Sequence, residues 1–154
     1  MTALGGFSPG DVLTAADLNA IGATTSWTPS FSFGVTVGNG TVAGNYQRVN
    51  NLVIAQARFT LGSTSTVSTF VRADLPVTAG DAFDVAIGTS GFLVDLDTGV
   101  YYKFSGRPYS NAAVYLYGDV QNASNTSINL STTLAPITYA TGDQIYWQMI
   151  YRAG

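Results

Sequence analysis

Leu52-Val53-Ile54-Ala55-Gln56-Ala57-Arg58-Phe59-Thr60-Leu61 is the stretch on which the fold turns. Its pattern repeats every second residue, the signature of a pleated strand whose successive side chains point to opposite faces. The same period runs outward in both directions. It predicts strands over 31–37, 41–49, 52–61, 68–73, 83–87, 91–95, 100–104, 113–117, 127–131 and 144–151. Residues suited to corners separate them: Asn39-Gly40 fits a type I′ hairpin turn, Asn50-Asn51 tolerates positive φ, and Asp97-Thr98-Gly99 can close a tight hairpin. Gly80-Asp81 and Gly142-Asp143 supply further corners, while 63–69 and 121–127 are polar enough to predict exposed loops. Short strands at this spacing predict an all-β body of sandwich or jelly-roll type.

Composition agrees with the period. The chain has 154 residues, about one domain, with no Cys, His or Glu; Asp supplies all nine acids, and Lys103 is joined by five Arg. Charged residues are 10% of the chain, against roughly 25% in ordinary soluble domains. Thr, Ser, Asn and 17 Gly stand in their place, residues that favour turns and pleated surface over helix. So few charges leave part of the exterior to be covered by copies or partners, which predicts an oligomer. A net charge of −3 and scattered Arg48, Arg58, Arg72, Arg107 and Arg152 argue against nucleic acid, which needs clustered cations. Each Arg is expected to pair with an Asp or lie over an aromatic ring. No run of about 20 apolar residues predicts a membrane span, and no basic-then-apolar leader opens the chain.

The organisation is an arm over 1–26 and a β body over 27–154. Within the arm, Thr14 is a suitable N-cap with Asp17 three residues on, and Gly22 a suitable stop, so a short helix is predicted over 14–22. Val12, Leu13, Leu18 and Ile21 would give it one apolar stripe. Two turns are marginal in isolation, so that stripe must dock.

Chemistry has little to work with. A Ser nucleophile would lack a His base, leaving Asp or Lys103. The carboxylate pairs Asp81/Asp84 and Asp95/Asp97 are the remaining catalytic candidates, and Asp97 is better explained by its turn. Asp95-Leu96-Asp97-Thr98-Gly99 resembles the front of a calcium loop but lacks the later ligands and the bidentate Glu, so no metal or cofactor is expected. A non-enzymatic protein is predicted. Tyr101-Tyr102, Tyr115, Tyr117 and Tyr146-Trp147 lie on predicted strands, where alternation sends some inward to the core and some outward to a sugar or a subunit.

Two stretches resemble known proteins. Residues Phe7-Ser8-Pro9-Gly10-Asp11-Val12-Leu13-Thr14-Ala15-Ala16-Asp17-Leu18-Asn19 look like the N-terminal motif of tail-fibre, minor tail and related virion-surface proteins of tailed phages. Trp27-Thr28-Pro29, Gly38-Asn39-Gly40-Thr41, Tyr46-Gln47-Arg48-Val49 and Thr141-Gly142-Asp143-Gln144-Ile145 are similar to their small jelly-roll modules. The resemblance implies a trimeric jelly roll on the virion surface, anchored by its arm. The arm leads almost directly into the body with no shaft repeat, which suits a capsid decoration or cement protein docked on the major capsid protein. A tail-fibre or minor tail protein with a receptor- or glycan-binding jelly roll is the alternative. Phe7, Val12, Leu13, Leu18 and Ile21 are the expected docking anchors.

Overall fold

The computed structural model describes residues 12, 14, 15, 22–81, 88–116, 119–121, 127–129 and 138–154. The described chain is all β, with eleven strands: β1 Thr25–Trp27, β2 Phe31–Thr36, β3 Thr41–Val49, β4 Leu52–Thr60, β5 Thr66–Asp74, β6 Thr89–Asp95, β7 Val100–Pro108, β8 Ala113–Leu116, β9 Asp119–Gln121, β10 Ser127–Asn129 and β11 Gln144–Arg152. Every pairing is antiparallel, and the strands form two sheets. The first runs β1-β3-β4-β11-β6-β7-β9-β10; the second runs β7-β8-β5-β2. Strand β7 belongs to both. Its residues through Ser105 pair with β6, and Gly106 to Pro108 pair with β8.

The core follows from alternation. Val53, Ala55, Ala57 and Phe59 of β4 point inward, as do Ile145, Trp147, Met149 and Tyr151 of β11. Burying the larger of these side chains contributes about 1.5–3 kcal/mol each. One inward row crosses six strands, with Trp27, Gly44, Ala57, Trp147, Gly91 and Phe104 side by side. Large rings alternate with small residues because the Trp27 and Phe104 rings fill the space that a side chain at Gly44 or Gly91 would need. A Cβ on Gly44 would lie 2.9 Å from the Trp27 ring, and one on Gly91 2.8 Å from Cε2 of Phe104. Neither position accepts even a methyl group without movement. From the second sheet, Phe31 closes the layer at 5.4 Å from Phe59 and 5.8 Å from Trp147 between ring centroids.

Buried polar groups tie the corners. The Asp143 carboxylate is 1% exposed and accepts from the Leu96 amide at 3.0 Å and the Ala140 amide at 2.7 Å. It therefore fastens the turn after β6 to the turn before β11. The Tyr151 hydroxyl donates to the Val77 carbonyl at 2.7 Å and accepts from its amide at 3.2 Å. Burial pushes that hydroxyl up to about 12; the Val77 bond opposes the shift, Tyr46 adds to it and Arg48 opposes it.

Several expectations change. Asn39-Gly40 does not close a hairpin, because β2 pairs with β5 in one sheet while β3 pairs with β1 and β4 in the other. The turn instead carries the chain between sheets, with Gly38 at φ +57 and Asn39 outside the left-handed region that type I′ requires. The Asn39 side chain accepts from the Thr64 amide at 2.9 Å and donates to Ser63 Oγ at 3.0 Å, bracing the neighbouring corner. The loop expected over 63–69 gives way to β5 from Thr66, since a Thr-rich segment suits a pleat as well as a loop. Gln121 and Ser127, expected in a loop, end β9 and begin β10. At the corners expected at Gly80-Asp81 and Gly142-Asp143, Asp81 is exposed and Asp143 is buried. By contrast, Asn50 at φ +52 and Gly99 at φ +70 occupy the hairpin corners as their residue types predict. The strand expected over 83–87 lies outside the described residues, as does the helix over 14–22 apart from Thr14, Ala15 and Gly22.

Candidate functional site

The outward face of the first sheet reads as a set of rows across its strands, fixed by the register. Toward one end Val49, Leu52, Ile54 and Ile150 are all at least 40% exposed, with Leu52 opposite Val49 and Ile54 opposite Ile150. This is a contiguous apolar patch, and it is unusual for water-facing surface to collect four branched side chains. The next row is all amide and hydroxyl: Asn45, Gln56, Gln148 and Ser90. Beyond it come Ala43, Arg58, Tyr146, Phe92 and Lys103.

Between these last two rows lies a groove of about 530 Å³. Its walls are Asn45, Gln56, Gln148 and Ser90 on one side and Arg58, Tyr146 and Phe92 on the other. Its floor is the backbone at Gly44, Ala57, Trp147 and Gly91, whose own direction is inward. Gln148 donates to Ser90 at 3.3 Å, and the Tyr146 hydroxyl donates to Gln144. The Asn45 and Gln56 amides and the Arg58 guanidinium make no hydrogen bond or ion pair within the described residues. Among the described residues the lining contains no acid.

The sequence-predicted sites fare unevenly. Val12 is 84% exposed, and Phe7, Leu13, Leu18 and Ile21 lie outside the described residues. Asp95 and Asp97 do not converge: Asp95 is buried, its carboxylate accepting from the Thr98 amide at 3.0 Å, whereas Asp97 is exposed. Asp84 lies outside the described residues, and no cluster of metal-binding side chains occurs among those described. Of the aromatic pairs, Tyr101 and Tyr146 face outward while Tyr102 and Trp147 enter the core. Burial raises Tyr102, and the Asp95 carboxylate adds to the shift. Arg72 lies 4.2 Å from the Tyr109 ring centroid, the aromatic partner expected for an Arg here. No sequence signal had singled out Asn45, Gln56, Gln148, Ser90 or Phe92.

No protein-family model matches the chain, and neither a curated protein nor a solved structure does.

Proposed function

We propose that the chain is a structural, non-enzymatic protein of the tailed-phage virion surface, its sandwich a jelly roll that assembles with copies of itself as a trimer. Its arm docks on the major capsid protein through Phe7, Val12, Leu13, Leu18 and Ile21, making it a capsid decoration or cement protein. The observation that carries the reading is the apolar patch of Val49, Leu52, Ile54 and Ile150, which a free monomer would leave in water. The sparse charge and the resemblance of residues 7–19 to phage virion-surface proteins support it. The mechanism is mass action: a protein that binds only the assembled shell stabilises that shell.

Cryo-electron microscopy of the intact particle tests the location. Density at capsid three-fold or quasi-three-fold positions, with the arm on the shell, is expected. Density confined to the tail would replace this reading with a tail-fibre or minor tail protein. Leu13→Asp with Leu18→Asp is expected to leave the oligomer intact and abolish decoration; normal decoration by that variant removes the arm from the docking role.

A further inference from the structure

We infer that the groove between the two outer rows of the first sheet is a binding site for a short oligosaccharide. The inference rests on the groove alone and holds whether the body sits on a capsid or a tail.

The side chains argue for sugar over other ligands. Asn45 and Gln56 each offer a planar amide with both donors and an acceptor, Gln148 offers its acceptor and the donor not given to Ser90, and Ser90 adds a hydroxyl, on neighbouring strands in one row. Vicinal hydroxyls on a pyranose ring present donor and acceptor at matching separation. On the facing wall, Tyr146 and Phe92 are direct neighbours across β11 and β6, and Phe92 is 49% exposed. Aromatic rings there offer an apolar platform to the C–H face of a sugar at small entropy cost. Strand spacing of ~4.8 Å makes the groove roughly 14 Å long from β3 to β6, room for two or three rings.

Other ligands fit less well. The groove lies on a sheet face, so an extended peptide would find no free strand edge to pair with. A nucleic acid would need clustered cations, and among the described residues the lining has only Arg58. That guanidinium, unpaired and with no acid beside it among the described residues, is placed to donate to sugar hydroxyls or, in bidentate fashion, to a sugar carboxylate. The floor is preorganised because Gly44 and Gly91 are held by the packed row beneath, so binding requires little ordering of backbone.

Isothermal titration of the whole protein against maltohexaose, cellohexaose, mannohexaose and hexagalacturonate tests this, with Tyr146→Ala, Gln56→Ala and Arg58→Gln as variants. Saturable binding of at least one probe is expected, weakened tenfold or more by Tyr146→Ala and by Gln56→Ala while the thermal midpoint is kept. Preference for hexagalacturonate that Arg58→Gln removes would give Arg58 a carboxylate partner; binding of the neutral probes weakened by Arg58→Gln would give it hydroxyls. Absence of saturable binding to all four overturns the inference, as does binding untouched by Tyr146→Ala and Gln56→Ala. So does a change in sedimentation coefficient on Tyr146→Ala without any sugar affinity, because the groove would then be a subunit contact.

Discussion

Replacing Gly91 with Ala adds one methyl group, and the surrounding geometry leaves it nowhere to go. The new Cβ would lie 2.8 Å from Phe104 Cε2 and closer still to Phe104 Cζ and the Tyr146 carbonyl. The ring is 1% exposed and held in the core; the carbonyl belongs to β11, which is paired on both sides. Overpacking of this kind costs about 1–3 kcal/mol, and displacing β11 enough to weaken one ladder hydrogen bond adds about 1 kcal/mol. The expected loss is therefore about 3 kcal/mol, or roughly 6–12 °C in Tm for a chain of this length. Gly88→Ala is the matched control, its Cβ meeting Ile150 alone among the described residues, at an ordinary 3.5 to 3.9 Å, with an expected change below about 0.5 kcal/mol. Urea titration of both variants, followed by far-ultraviolet circular dichroism, reads the difference. If Gly91→Ala lies within about 1 kcal/mol of the parent, the row of rings and small residues has slack and the packing argument for that layer is wrong.

Three further outcomes follow from features of the fold. Asp143→Asn removes one of two buried carboxylate acceptors and sets an amide donor against a backbone N–H, so a loss of about 2–3 kcal/mol is expected by denaturant titration. For Tyr151, burial favours the neutral phenol, so the folded chain keeps the proton to about 12 while the unfolded chain releases it near 10. Stability is then level below pH 10 and falls by about 2–3 kcal/mol between pH 10 and 12, a slope that Tyr151→Phe should flatten in alkaline melts. Ile54→Asp with Ile150→Asp puts charge into the exposed apolar patch, and sedimentation velocity should show a shift to monomer; an unchanged oligomer would exclude the patch as the contact.

The strands were legible because their period is a local property. Residues 41–49 match β3 in full, and 52–61 and 144–151 match β4 and β11 to within one residue, since each alternates over many positions. Of the three-residue strands, β1 and β9 have too few alternations to stand out, whereas β10 falls within the predicted 127–131. What the period cannot convey is which strand lies beside which. Asn39-Gly40 has the residues of a hairpin yet joins two sheets, because partner choice is decided by the whole core. The groove was hidden for the same reason. Gln56, Gln148 and Ser90 are far apart in sequence and unremarkable singly; only the register of β4, β11 and β6 sets them in one row. Outward-facing Tyr146 could be suspected from alternation, but not its neighbours.

The position of β11 bears on how the chain is made. It follows every other strand of the body in sequence, yet it lies between β4 and β6 near the centre of the first sheet. During synthesis from the N-terminus, β4 and β6 each wait with an open edge until residues 144–152 leave the ribosome. Two unpaired edges in a nascent chain are templates for wrong partners, including other nascent copies. Closure of this body therefore waits on β11, and its yield is set by how quickly that one segment threads between two strands made well before it.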